Sequence, residues 1–327
     1  MHPVREFFRF RSSGVPALAL LLALTWLASA HAAPVPSLFA ATVPEADPQR
    51  AAQQAMREVL VRLTGTREAV DDPALSALIG DAQQYVQVER STTRGATQVL
   101  FDGAGLRAAV SATGRSIWNP DRPLGWVVLP ALGGAATDDL RAQLTAASQM
   151  RGLPIALVSA DSPASALSAD VVNADAGTVL AAARRAGAAA ALLAQSGAGE
   201  ANTLQWTLVA PAAEGHWVGG AAAAIDGATE ALARAARELD SMPLSELDCR
   251  IAGVLDLPAY TAVLGAVSAA PGVIDVVVRS VDADQLTLHL RAHGSPAALA
   301  RAVSNERLRE SGAGVAGVLE YRYQSGP

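Results

Sequence analysis

The apolar positions of the chain fall into a few distinct spacings, and their order predicts the elements. Residues 124–132 are an apolar run of strand length, entered through Asn119-Pro120-Asp121-Arg122-Pro123 and closed by Gly133-Gly134. Such a run, bounded by Pro and Gly, reads as a strand buried on both faces, which needs a covering layer on each side. Upstream, Asp47-Pro48 pairs an N-cap with proline at the first helical position. Ala52, Ala55, Met56, Val59, Leu60 and Leu63 then recur at helical spacing up to Gly65, the expected C-terminal stop. Asp72-Pro73 opens a shorter helix with Leu75, Leu78 and Ile79 facing inward. Residues 85–92 and 97–101 read as strands joined across Arg94-Gly95, and 106–112 as a further short helix.

Beyond the central run, Thr137 is placed to cap a helix with Leu140, Leu144, Ala147 and Met150 on one stripe. Residues 155–158 and 188–194 read as strands flanking a helix near 176–186. Strand, helix, strand, helix, strand with short connections implies a parallel sheet. Leu204, Trp206 and Leu208 then alternate with polar neighbours, and 216–224 returns as the second arm of a hairpin. Asp226 is expected to cap a helix carrying Ala231, Leu232, Ala235 and Leu239. After a linker at 242–248 the remainder reads strand, helix, strand, strand, helix (296–308) and strand (318–323), the ferredoxin-like split arrangement. Leu286, Leu288 and Leu290 face one way there, with Thr287, His289 and Arg291 on the other side.

The predicted class is therefore α/β and α+β. It comprises an N-terminal mixed unit at 34–122, a central unit at 123–240 with a mostly parallel sheet plus an antiparallel hairpin, and a ferredoxin-like βαββαβ unit at 249–327. Residues 1–32 stand apart. Arg5, Arg9 and Arg11 precede an apolar stretch at 15–27, followed by Ala28-Ser29-Ala30 and Ala30-His31-Ala32. Positive start, short apolar centre and small-residue end describe a secretory signal peptide, cleaved after Ala30 or Ala32. The apolar stretch is short for a membrane span, and no later segment reaches spanning length free of charge. The expected location is the periplasm, with no membrane span after signal removal.

Charge and cysteine narrow the function classes. Every one of the 25 basic residues is arginine, against 31 acidic residues and a net charge of −6. A net acidic chain argues against nucleic acid as a partner, because phosphate binding needs a concentrated basic face. Cys249 is the only cysteine, so no internal disulfide is available, and its neighbours Asp248 and Arg250 make it a small strand residue.

Candidate chemistry is sparse. Gly133-Gly134 lies where an α/β fold could hold an anion, but Asp138 and Asp139 follow where a phosphate would sit. His289 and His293 would be about 13 Å apart along a strand, too far to share a metal. There is no Gly-x-Ser-x-Gly elbow. No catalytic, cofactor-binding or metal-binding residue is therefore assigned, and no cofactor is expected. A candidate interaction surface is drawn from Arg62, Arg67, Trp118, Arg122, His216 and Trp217. Arg90 and Arg94 could extend its basic part, and exposure of Trp118 together with Trp217 would mark a contact surface.

Several of these residues carry a resemblance. Val59-Leu60-Val61-Arg62-Leu63-Thr64-Gly65-Thr66-Arg67, Ile117-Trp118, Arg122-Pro123, the Trp126-Val127-Val128-Leu129 strand, Arg151-Gly152-Leu153-Pro154, and the Trp206 and Trp217 hairpin resemble the periplasmic domain-of-unknown-function family 2066 of gammaproteobacteria. That family usually continues after Arg151-Gly152 into an Asp-rich strand end, of which only Asp161 remains here. The central unit is also similar, in element order alone, to the N-terminal domain of TolB. The resemblance implies an envelope setting and carries no activity with it. The expected function is a non-enzymatic binding or scaffold factor of envelope assembly, partnered by an envelope protein or a peptidoglycan-associated one. The alternatives are a hydrolase acting on an envelope polymer, and a small-ligand binder using the crevice of the central sheet.

Overall fold

A computed structural model describes residues 38–324, apart from 93–94, 120–121, 131, 133, 160–173, 197–202, 306 and 312–317. The expected leader, Asp161, Arg94 and Gly133 lie outside the described residues. By its contacts the chain divides into 1–31 and 32–327. The second unit is α+β, with three sheets.

The N-terminal sheet has the order β1-β3-β2, built from β1 (Ala40–Val43), β2 (Val86–Ser91) and β3 (Thr97–Phe101), all antiparallel. Helix α1 (Pro48–Thr64) starts where the Asp47-Pro48 pair predicts, with the Asp47 carboxylate accepting from the Arg50 amide. Its buried face, which includes Ala52, Met56, Val59 and Leu63, packs on this sheet. Leu75, Leu78 and Ile79 are buried as expected, although α2 (Ser76–Gly80) is only a short turn of helix between two 3-10 turns. Helix α3 (Gly103–Ala112) is capped by Asp102.

The central sheet has the order β5-β4-β6-β7-β8. β4 (Gly125–Leu129) is buried at all five positions and lies parallel to β5 (Ile155–Ser159) and β6 (Ala190–Ser196). Its two faces feed two separate cores. Val127 and Leu129 join Trp118, Leu144 and Ile225 on one side, while Trp126 and Val128 meet Val179, Ala182 and Ala183 on the other. The antiparallel hairpin of β7 (Leu204–Ala210) and β8 (Ala213–Gly219) places Trp206 opposite Trp217. Helices α4 (Gly134–Arg151), α5 (Ala176–Arg185) and α6 (Ala221–Asp240) cover the sheet.

Three boundaries differ from expectation here: the return arm of the hairpin, expected at 216–224, is Ala213–Gly219, and the starts of two helices also move. Helix α4 starts at Gly134, so Thr137 lies inside the helix and does not cap it. The buried stripe of α4 is Thr137, Leu140, Leu144, Ser148 and Arg151, leaving Met150 well exposed. Helix α6 starts at Ala221, which turns Asp226 from an expected cap into a side chain within the helix.

The C-terminal sheet has the order β10-β11-β9-β13-β12. The expected linker is instead the first half of β9 (Leu244–Ala252), because Leu247, Cys249 and Ile251 alternate into the core. β10 (Val273–Asp282) and β11 (Gln285–His293) form a hairpin, and β11 pairs antiparallel with β9, as the split arrangement requires. The end departs from it. Helix α8 (Pro296–Val303) stops five residues before the expected end, and Leu308–Glu310 forms the short strand β12. β13 (Val318–Tyr323) therefore runs parallel to β9, where an antiparallel fourth strand was expected. The inserted strand reverses the chain once more. Leu286, Leu288, Leu290, Leu247 and Ile251 form the core under α7 (Leu257–Ser268) and α8, with the polar residues on the other face. Among the described residues, no helix is long and apolar enough to cross a membrane.

Cys249 sits at the middle of this core, fully buried, between Leu288 and Leu319 in the register of its neighbours. Burial pushes its thiol up to about 12, because the thiolate would be formed away from water. The folded protein should therefore resist maleimide at pH 8, with full labelling only after denaturation. Rapid stoichiometric labelling of the native protein would contradict this placement of β9.

Candidate functional site

The residues singled out by motif converge, but on an internal junction. An α-helix ends with carbonyls that lack intrahelical partners and carry the negative end of its dipole. Helices α1 and α4 bring these ends together, and arginines from each reach the carbonyls of the other. Arg62, in the last turn of α1, donates from Nε to the Met150 carbonyl of α4 at 3.0 Å. Arg151, the last residue of α4, donates from Nη2 to the Gly65 carbonyl just past α1 at 3.1 Å. The two helices thus cap one another.

A third arginine ties both ends from outside. Arg122 donates through Nη1 to the carbonyls of Arg151 (3.0 Å) and Gly152 (2.8 Å), and through Nη2 to the Arg62 carbonyl. Its guanidinium lies 4.2 Å from the centroid of the Trp118 ring, a cation–π contact made stronger by exclusion of water. Trp118 is in turn anchored to α1, its amide donating to the Leu63 carbonyl at 2.7 Å. Arg62 also bonds the Ala40 carbonyl of β1, and Arg237 of α6 donates to the Thr64 carbonyl at 3.0 Å.

Two glycines make the approach possible. Gly65 (φ 75°) and Gly152 (φ 63°) end the two helices in the left-handed region. A side chain at Gly65 would meet Ala233 and Trp118, and a Cβ at Gly152 would come within 2.7 Å of Arg122 Nη1.

Three guanidinium groups share this interior. Arg122 is pulled down to about 10, first by burial and then by the neighbouring charges of Arg62 and Arg151. Arg62 and Arg151 are lowered too, again mainly by burial. Carboxylates answer part of this. Glu58 lies 3.3 Å from Arg62, yet the Glu58 pKa is raised and that of Arg62 is lowered, so desolvation outweighs their mutual attraction. Asp226 lies 3.4 Å from Arg151 Nε and 2.5 Å from Arg67 Nη2, and Glu230 lies 3.4 Å from Arg151 Nη2. Among the described residues, Arg122 Nε and Arg151 Nε and Nη1 are buried without a hydrogen-bond partner, so the Asp226–Arg151 contact is an ion pair only. Arginine suits such a place because it keeps its charge after losing water and presents a rigid fork of donors.

This geometry corrects the expected interaction surface. Arg62 and Arg122 are buried with their guanidinium groups on main-chain carbonyls, and Trp118 is buried against Arg122 and the central core, so these three do not form an exposed surface. Arg67 is exposed, paired with Asp226. His216 is exposed on β8, with Nδ1 3.1 Å from Thr207 Oγ1. Trp217 is half-buried, lying over Gly215 and Gly227 against the central core. Trp118 and Trp217 are therefore not exposed together. Sequence reasoning missed Arg151, Asp226, Glu230 and Arg237 as members of the junction. One local signal was available: both helices close on an arginine followed within three residues by glycine.

Among the described residues, no group of three or more His, Cys, Asp or Glu is placed to hold a metal ion. His289 Nδ1 is 2.9 Å from Asp248 Oδ1, and His293 Nδ1 is 2.8 Å from the Met242 carbonyl, so each has its own partner.

The accessible feature is elsewhere. β10 is an edge strand of ten residues, and its Ile274, Val277, Val278 and Val281 are 49%, 48%, 37% and 57% exposed. Register shifts between Val273 and Asp275 and between Val278 and Ser280 divide its pairing with β11 into the regular stretches 275–278 and 280–282. Leu255 and Leu257 are exposed at 80% and 70%, at the entry to α7, where the Val254 amide donates to the Asp284 carbonyl of the β10–β11 turn.

Residues 32–119 match the family described as Domain of unknown function (DUF8605). This overturns the expected resemblance to family 2066. The matched segment includes Arg62, Gly65 and Trp118 but neither Arg122 nor Arg151. No curated protein and no solved structure gave a match, so the likeness of the central unit to TolB has no support either.

Arg122→Ala should destabilise the fold by about 3–5 kcal/mol, since it leaves three carbonyls without their charged donor and a hole above Trp118. Arg67→Ala, at the exposed edge of the same network, should cost less than about 1 kcal/mol. Urea unfolding of the two variants gives the comparison, and equal effects would mean that the junction does not bear on stability as described.

Proposed function

We propose that the protein is an exported binding factor of the cell envelope, holding a protein partner by strand addition along β10. One observation carries this reading: a long edge strand presents four partly exposed aliphatic side chains, and among the described residues no further strand pairs with its outer side. Soluble proteins usually blunt such edges, since free N–H and C=O groups recruit another strand. Strand addition draws its affinity from those groups and its selectivity from alternate side chains. Asp275 and Arg279 flank the aliphatic centre of β10 and would set the orientation of an incoming strand.

The envelope setting rests on the leader-like composition of residues 1–32. The family match begins at residue 32, at the end of that stretch. The arginine junction supports binding over chemistry in one respect. Its buried cations are directed at main-chain carbonyls, which leaves them no role toward a substrate.

A photocrosslinking residue at Val277 should capture one or a few discrete partners in intact cells, and the same residue at the exposed Gln143 of α4 should not. Val277→Lys should abolish the adducts formed from a neighbouring probe at Ile274. Adducts of equal yield from both faces, or none from β10, would refute the proposal. Mass spectrometry of the exported chain should find its N-terminus at His31 or Ala33.

A further inference from the structure

A second surface, separate from β10, carries an inference of its own. Two adjoining clefts of about 430 and 490 Å³ lie between α5 of the central sheet and helices α7 and α8 of the C-terminal sheet. They share Arg184, Pro211 and Ala302, so they form one continuous groove with Arg184 at its middle. Arg184, Arg185, Arg301 and Arg307 line it, and none of the described lining residues is an aspartate or glutamate. In a chain with more carboxylates than arginines this is a local reversal of charge.

The four arginines differ from those of the junction in every respect that matters for a ligand. They are exposed, and among the described residues none has a carboxylate within ion-pair distance. Arg185 and Arg301 make only weak bonds to carbonyls of their own helices, at 3.4 and 3.3 Å. Like charges gathered on one rim raise the local potential and attract an anion. Guanidinium forks match carboxylate and phosphate oxygens. The floor is apolar, with Leu180 and Leu299 in one cleft and Ala266, Leu308 and Tyr323 in the other. Each volume falls within the usual range for small-molecule sites, roughly 300–1,000 Å³.

We infer that this groove binds a single-chain anionic amphiphile, its carboxylate or phosphate head on Arg184 and its hydrocarbon body along the apolar floor. A bare inorganic anion fits poorly, because no buried donor is present to enclose it. Nucleic acid fits poorly too, since among the described lining residues only Tyr323 and His293 carry aromatic rings, one in each cleft, and no row of stacking platforms follows the groove. An extended peptide would want free main-chain groups, and the parts of the lining supplied by α5, α7 and α8 have theirs taken up within the helices.

The test is calorimetric titration of the folded protein with laurate and with dodecyl phosphate, both below their micelle concentrations. Neutral dodecyl maltoside and inorganic phosphate are the comparisons. Both charged amphiphiles should bind at one site, and either comparison should bind at least about tenfold more weakly. Arg184→Ala should weaken laurate and dodecyl phosphate by about tenfold with an unchanged thermal melt. Ala266→Trp, which fills the floor without touching charge, should weaken the amphiphiles and leave inorganic phosphate as before. Titration with lysophosphatidylglycerol separates a lipid headgroup source from a free acid. Binding of the maltoside as tight as that of laurate would overturn the inference, as would indifference to Arg184→Ala. An acidic peptide that displaces laurate at lower concentration would assign the groove to a different ligand and overturn it equally. Neither outcome bears on β10, whose crosslinking reads a different strand.

Discussion

The fold depends on two helix C-termini meeting head to head and on the arginines that make this tolerable. Left alone, the ends of α1 and α4 would face each other with unpartnered carbonyls and like partial charges. Arg62 and Arg151 exchange donors across the gap, and Arg122 closes it by reaching carbonyls on both sides. Partial negative charge on the carbonyls supplies what the few carboxylates do not, and this lets three guanidinium groups stay close together out of water. Gly65 and Gly152 are part of the same device, since side chains there would push Trp118 and Arg122 away.

This junction joins the N-terminal sheet to the central one through hydrogen bonds of fixed direction, not through a broad apolar contact. Trp118 makes the connection doubly, by its amide to α1 and by its ring in the central core. A residue class that commonly recognises ligands is thereby consumed in architecture. What stays available for recognition lies away from it, on the open edge of β10 and in the arginine-rimmed groove beside α5. One surface offers main-chain groups and aliphatic side chains, the other charge above an apolar floor. They suit different partners and can be occupied independently.

The hydrophobic spacing was a reliable guide where burial follows a single period. The all-buried β4, the sheet face of α1, and the alternation of Leu286, Leu288 and Leu290 are all local consequences of which side chains avoid water. It misled where a charged residue occupies an inward position. On α4 the apolar reading chose Met150, yet Arg151 points inward and Met150 outward, because the carbonyls of α1 form a polar site that Arg can fill. Asp226 reads locally as a helix cap, but α6 begins five residues earlier and uses it against Arg67 and Arg151. The Met242–Asp248 stretch read as a linker, yet from Leu244 onward it is strand, with Leu247 turned into the core.

The α+β class, most helices and strands, the burial of β4 on both faces and the place of Cys249 within a strand were legible in the chain's own pattern. These follow from short-range spacing, capping and the transfer of apolar groups from water, all of which act within a few residues. Only the tertiary structure decided that Arg62, Trp118, Arg122 and Arg151 form one buried junction and not an interaction surface. It alone decided that β13 runs parallel to β9, and that arginines from residues 184 to 307 line one groove. The reason is physical. A guanidinium has the same local preferences whether it ends in solvent or on a distant carbonyl, and only the meeting of separate segments chooses between the two.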